Sequence, residues 1–398
     1  MSNWEEMILG DYIDLIPGYA FSSDLFNDSI GMPLIRIRDF ESQNPITYYS
    51  GEYDGKYIVN PGDKLISMDG EFNIIEWKGP CSLLNQRVCK IQSNNNEKMD
   101  IQFLMYRLVR ELKNIEARTP ATTVKHLSLK DLQFLKLSIP PLKEQQKIAE
   151  ILSSVDAAIE KTEQVIAKTE EVKKGLMQQI LTKGIGHTEF KQTEIGEIPV
   201  GWNVINLEEI CSLITYGFTN PMPTTDEGPY MITAKDIRDG DIQYKTARKT
   251  SMECYSNDLT DKSRPSIGDI LITKDGTLGR LAIVKQEDIC INQSVARIVL
   301  KDINLVKYIY YLLDSPQVQT RILAESGGST IKHIYITKLA KTLIPISTDV
   351  EEIKNITNIL DSYDYKISSE KRKCNYLINI KKGLMQQLLT GQVRVKID

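Results

Sequence analysis

Three residues invite a catalytic reading first. Asp69, Glu76 and Lys78 stand in an Asp-x6-Glu-x-Lys spacing, loosely like a metal-dependent nuclease core, where carboxylates hold the ion that activates water. A second, similar stretch of the chain argues against it. Asp275 is kept there, but Ala282 and Val284 take the other two places. What repeats is an Asp-Gly turn, which favours a structural role, and short motifs of this kind match often by chance. Methyl transfer also fails to find its parts. Asn60-Pro61-Gly62-Asp63 and Asn220-Pro221-Met222-Pro223 are the nearest approaches to an Asn-Pro-Pro-aromatic loop, and neither has the ring that would stack on a flipped base. Gly55-Lys56 is followed by Tyr57 and lacks the glycine spacing of a phosphate-binding loop, so ATP-driven work is expected of another chain. His126, His187 and His333 are far apart, and Cys81, Cys89, Cys211, Cys254, Cys290 and Cys374 contain no Cys-x-x-Cys pair. That spread points to buried free thiols rather than disulfides, and to no metal centre.

The totals add boundaries. At 398 residues the chain is long enough for two or more domains with real cores. No run of about 18 apolar residues exists, so no membrane span is expected. The start, Met1-Ser2-Asn3-Trp4-Glu5-Glu6, lacks the basic-then-apolar plan of a signal peptide; a cytoplasmic protein is expected. The formal net charge of −4 means that any binding to a polyanion must come from basic residues gathered on one face, or from a partner.

The elements that would position such residues are visible as an internal repeat. The peptide KKGLMQQ occurs at Lys173–Gln179 and again at Lys381–Gln387. Each copy closes a long helix-like segment, Glu144–Thr182 and Glu352–Thr390, and the two superpose without a gap at an offset of 208 residues. Ile148, Leu152, Val155, Ile159 and Ile166 in the first match Ile356, Leu360, Tyr363, Ile367 and Cys374 in the second. Steps of four and three are the seam of a coiled coil, interrupted in both at Thr162 and Glu370. About 39 residues at about 1.5 Å each give a rod of roughly 58 Å. The stretches ahead of the helices repeat too. Trp4 and Leu9 match Trp202 and Leu207; Gly62–Gly70 matches Gly268–Gly276; Asn85–Val88 matches Asn292–Val295; Thr123–Leu127 matches Thr330–Ile334. These anchors read as short strands and turns, with one helix per unit at Phe103–Leu112 and Leu305–Leu313. The expected fold is α+β: two pseudo-symmetric domains with two long coiled-coil helices. The expected divisions are 1–142, the long helix 143–183, a linker 184–198, 199–346, and the second helix with its tail, 347–398. A tandem pseudo-dimer suits a two-part target read with two-fold geometry, and duplex DNA is the commonest such target.

In this order and duplicated, several short motifs are specific. They are Ile139-Pro140-Pro141-Leu142-Lys143-Glu144-Gln145, Gly175-Leu176-Met177-Gln178-Gln179, Ile195-Gly196-Glu197-Ile198-Pro199-Val200-Gly201-Trp202, and the Gly-Asp and Asp-Gly turns. With them the chain resembles, over nearly its whole length, the DNA-specificity subunit of type I restriction–modification systems. The second helix departs by starting through Ile344-Pro345-Ile346 and Glu352-Ile353, without Pro-Pro and Glu-Gln. The resemblance implies that each globular unit is a target-recognition domain for one half of a split, asymmetric double-stranded DNA site. It implies that the two long helices pair antiparallel and set the distance between the halves, that two methyltransferase subunits dock on them, and that restriction subunits join. It also implies no catalytic role and no cofactor in this chain; S-adenosylmethionine, ATP and Mg would sit on the partners. A DNA-independent coiled-coil adaptor is the alternative, and a metal-dependent nuclease comes third.

Basic side chains in loops are the candidate DNA contacts. Lys125 and Lys332 occupy the duplicated Thr-x-Lys-His turn, where a lysine can hold a phosphate or simply be solvated. For the adjoining His126 and His333, packing or hydrogen bonding within the turn is preferred to DNA contact. Arg36 and Arg38 alternate with Ile35 and Ile37, which places them on one face of a strand. Arginine reads guanine bidentately, yet a solvated strand face fits as well. Lys235 and Arg238 lie in the comparable region of the second unit, Lys274 and Arg280 flank its Asp-Gly turn, and Lys245, Arg248 and Lys249 form a basic run. Tyr19 with Phe21, and Tyr216 with Phe218, are matched aromatic pairs beside glycine. They read as core in preference to base-stacking wedges.

Overall fold

The computed structural model describes residues 4–120, 124–324, 326–327 and 332–396. The chain forms two compact units, residues 1–162 with 373–398, and residues 163–372. Both cuts fall inside helices, because the first long helix runs Leu142–Lys183 and the second Val350–Leu388. Each unit therefore holds one globular part and a portion of each long helix.

In the first unit, Ile13–Pro17, Val88–Ser93, Lys64–Ser67 and Ile74–Glu76 form an antiparallel sheet in that order. Lys64–Ser67 is buried on both faces, and strand alternation explains how. Ile66 joins the cluster of Phe103, Leu104 and Leu108, whereas Leu65 faces Ile35, Trp77 and Leu84. That second cluster belongs to a five-stranded sheet in which Met32–Ile35 runs parallel to Ser82–Leu84. Glu5–Ile8 pairs with Lys136–Ile139 just ahead of the first long helix. Helix Ile101–Arg118 is capped by Asp100, whose carboxylate accepts from the Phe103 N–H at 2.7 Å. Its apolar face shares a core with Ile148 and Leu152 of one long helix, Leu388 of the other and Leu389 just past its end.

The second unit repeats this plan. Cys211–Tyr216, Val295–Leu300, Ile270–Thr273 and Leu281–Ile283 have the same antiparallel order. Trp202–Asn206 pairs with Leu343–Ser347. Thr225–Ile232 pairs parallel with Ile289–Ile291 and antiparallel with Arg248–Lys249 at a sheet edge. The single helix expected at Leu305–Leu313 is two, Val306–Asp314 and Pro316–Ala324. Pro316 opens the second, where a missing N–H costs little. Residues 184–198, read as a linker, contribute to a hairpin of Phe190–Thr193 with Gly196–Pro199. Its turn needs Gly196 at φ +104°, and its Ile198 is buried beside Trp202.

The long helices pair antiparallel in both units. In the first, Asp156 meets Lys381, and Glu144 meets Arg394 of the tail beyond the second helix; in the second, Glu170 meets Lys371 and Lys173 meets Asp364. Of the seam positions, Ile148, Leu152, Ile356, Leu360, Ile367 and Cys374 are buried, and Val155, Ile159, Ile166 and Tyr363 are half-buried. Thr162 and Thr169 are buried on the same seam, and their hydroxyls donate to the carbonyls of Ala158 and Val165 at 2.7 and 2.6 Å. The polar interruption is thus satisfied within its own helix.

Candidate nucleic-acid interface

Arg36 and Arg38 do not lie on a strand. The strand ends at Ile35, and Asp39 Oδ2 accepts the Arg36 N–H at 2.8 Å, turning the chain into the short helix Asp39–Ser42. The turn nevertheless brings the two arginines together. With Arg87, Asn85 and Gln86 they line a hollow of about 470 Å³ whose apolar wall includes Phe26. The Arg36 guanidinium lies 5.1 Å from the Phe26 ring centroid. Arg38 donates to Thr47 Oγ1 at 2.8 Å, and Arg87 pairs with Asp69 at 3.1 Å. Arg87 carried no motif of its own; its signal was its place in the repeated Asn-Gln turn.

In the second unit Lys235 and Arg238 are exposed, and Arg238 Nε donates to the Lys235 carbonyl at 2.8 Å. Arg238 and Arg280 share a hollow of about 610 Å³ with Lys173, Lys174 and Lys371. Glu170 and Asp364 line it too, and they neutralise Lys371 and Lys173. Lys274 stands 5.5 Å from the Tyr216 ring, and Lys262, which the motif reading missed, stands 5.6 Å from it. Lys245 and Arg248 are exposed, while Lys249 lies 5.0 Å over Tyr230. Lys125 donates to the Glu116 carbonyl at 2.7 Å and so holds a helix C-terminus. Lys332 is exposed.

The remaining motifs resolve into frame-building roles. His126 Nδ1 lies 2.6 Å from Asp69 Oδ1, and His333 Nδ1 lies 2.5 Å from Asp275 Oδ1. The Asp-Gly turns, with Gly70 and Gly276 at φ +75° and +77°, are therefore clamped by the duplicated histidines. Asp69 is engaged by His126 and Arg87, Glu76 by Lys64, and Lys78 by Glu160, so the nuclease-like spacing is spread over separate pairs. Among the described residues no cluster of acidic, histidine and cysteine side chains is built to hold a metal. The aromatic pairs divide. Phe21 is buried, but Tyr19 and Tyr216 are 51% and 39% exposed, contrary to a core role for both. Their glycine neighbours have a steric reason: a Cβ on Gly18 or Gly217 would come within 2 Å of the Asn85 or Ile291 carbonyl oxygen. The cysteines are free; Cys81 is exposed and Cys254 half-buried, unlike the other four. Burial pushes the Cys89, Cys211 and Cys290 thiols up to about 12.

Fold and site together define a class: a duplicated α+β reader carried on an antiparallel helix pair, with different basic side chains on each copy. Comparison with known proteins places the chain within it. A family model, the type I restriction modification DNA specificity domain, matches residues 1–171 and 199–379. The chain is 32% identical to the EcoBI specificity subunit of Escherichia coli, over 98% of this chain and 86% of that one. It is 28% identical to the MjaVIII specificity subunit of Methanocaldococcus jannaschii, over 99% and 94%. An S subunit of a type I restriction–modification system from M. genitalium has the same fold, with a TM-score of 0.61 at 14% identity, covering 97% and 96% of the two chains. The chain belongs to the type I restriction–modification DNA-specificity family, whose members choose the DNA sequence and are not themselves catalytic.

Proposed function

We propose that each globular part reads one half of a bipartite, asymmetric DNA site, and that the helix pair sets the spacer between the halves. The observation that carries this reading is duplication with divergence. Sheet order and Asp–His clamp are the same in both units, whereas the side chains on the shared frame are not: Arg36, Arg38 and Arg87 in the first stand where the second has Thr233, Lys235 and Ser294. Arg36, Arg38 and Arg87 serve the first half-site. Lys235, Arg238, Lys245, Arg248, Lys249, Lys274 and Arg280 serve the second, with Lys125 and Lys332 nearer the frame than the bases.

Two methyltransferase subunits dock on the helices, restriction subunits join that complex, and S-adenosylmethionine, ATP and Mg belong to those partners. Support for a partner repeated twice comes from the surface of the KKGLMQQ copies. Lys174, Gly175 and Gln178, like Lys382, Gly383 and Gln386, are exposed and identical. A mid-helix glycine costs about 1 kcal/mol relative to alanine, and among the described residues nothing outside the glycine's neighbours and its own helix turns lies within 4 Å of where a Cβ would stand on Gly175 or Gly383. Close approach of the same partner at both places explains both glycines. In a gel shift with random duplex, the chain with its methyltransferase subunit should bind, weakening steeply with salt. Absence of binding under every partner condition would favour the DNA-independent adaptor.

A further inference from the structure

One backbone frame occurs in both units with different side chains mounted on it. Asp39 Oδ2 accepts the Arg36 N–H at 2.8 Å, and Asp236 Oδ2 accepts the Thr233 N–H at 2.9 Å. The strand leading into each turn runs parallel to the strand leading into the Asn-Gln turn, with Ile35 beside Leu84 and Ile232 beside Ile291. The frame therefore sets Arg36 against Thr233, Arg38 against Lys235, and Arg87 against Ser294. In the second unit two of the three are spent on the frame. Thr233 Oγ1 donates to Asp236 at 2.7 Å; Ser294 Oγ donates to Asn292 Oδ1 at 2.6 Å and accepts the Ala234 N–H at 2.9 Å.

In the first unit the same places carry three guanidinium forks around an open hollow. Each has five N–H donors. Arg38 and Arg87 are oriented by Thr47 and Asp69, with donors left over. Arg36 is held over Phe26, and its Nε is buried with no hydrogen-bond partner among the described residues. A buried orphan donor is costly unless a ligand supplies an acceptor. We infer that Arg36, Arg38 and Arg87 are the specificity-determining residues of the first unit and that they read guanine edges in its half-site. The O6 and N7 of guanine form the acceptor pair that an arginine fork matches. This rests on the proposal that each unit reads one half-site.

The test uses the complex of this chain with its methyltransferase subunits. The methylated motif is read from cells carrying both, and exchange of residues 1–140 for those of another specificity subunit shows which half belongs to the first unit. Duplexes are then made with 7-deazaguanine, which lacks N7, at each guanine in turn. In the first unit's half, at least one replacement should weaken binding about ten-fold or more. A chain carrying Arg36→Thr, Arg38→Lys and Arg87→Ser should lose that sensitivity and accept other base pairs there, with the second half unchanged. If that chain does not fold, Arg87→Lys alone, which keeps the charge and loses the fork, should relax the same position. Insensitivity of the unaltered complex to 7-deazaguanine in that half would overturn the inference. So would variants that weaken binding equally on all sequences with the motif intact, since that is the signature of phosphate clamps. A methylome without a two-part motif would instead sink the reading beneath it.

Discussion

Two kinds of carboxylate, one half-buried and one buried, tie the globular parts to the helices. Asp156 takes the Tyr106 hydroxyl at 2.6 Å and Lys381 at 2.6 Å; Asp364 takes the Tyr311 hydroxyl at 2.7 Å and Lys173 at 2.5 Å. The first lysine of each KKGLMQQ copy is thus a cross-helix staple, and it lies at the next seam positions of the same four-and-three spacing. That spacing made the apolar seam legible in the sequence. The staple was not, because a charged residue at a seam position looks like an interruption until its partner on the other helix is known. Glu352 is the second kind. Burial by itself would raise its carboxyl, but bonds from Ser347 Oγ, the Ile185 N–H, Trp202 Nε1 and His187 Nε2 outweigh it and hold the pKa below the ordinary 4.5. A depressed folded-state pKa stabilises above the unfolded value and is lost as pH falls through the folded one. Thermal unfolding should therefore show an acid limb beginning near pH 4.5 that becomes shallower in Glu352→Gln, with a lower Tm for that variant at pH 7. An acid limb unchanged by the substitution would remove Glu352 from the account.

At the scale of elements, the long helices were read with little error because coiled-coil periodicity is a local property of sequence. Strands in the globular parts were harder. Ile35-Arg36-Ile37-Arg38 has strand alternation, yet the Asp39 side chain captures the Arg36 N–H and ends the strand; such a local bond competes with the sheet ladder. Residues 184–198 look like a linker because they are rich in Gly, Thr and Glu; that Ile198 at their end is buried is not legible locally, since it finds a core that only the folded unit supplies. Leu360 is fully buried among Ile353, Ile356 and the second unit's sheet residues. Leu360→Ala should cost about 2–5 kcal/mol by denaturant unfolding, whereas a cost near zero would mean the helix is not packed there. Inserting four residues, about one turn, into the first long helix should lengthen the spacer in the methylated motif and leave both half-sites intact. Unchanged spacing would count against the ruler role.

Across the whole molecule, function was legible because the same plan is written twice. The first copy alone would have offered an Asp-Gly turn and a nuclease-like spacing, and the net charge of −4 belongs to the whole chain; none of these points to DNA. Two copies separate what is held constant from what varies. The constant residues, Asp69 and Asp275, His126 and His333, Lys173 and Lys381, build frames and staples. Many of the varying ones sit at the hollows. What the sequence could not show is which basic side chains converge, since Arg36 and Arg87 meet only through a fold that joins residues far apart in the chain. The central claim is that one chain carries two unlike readers. Methylome sequencing of cells that hold this chain with its methyltransferase tests it most directly. The account predicts one motif made of two dissimilar half-sites separated by unspecified bases. A continuous motif, or two halves that are inverted copies of each other, would contradict it.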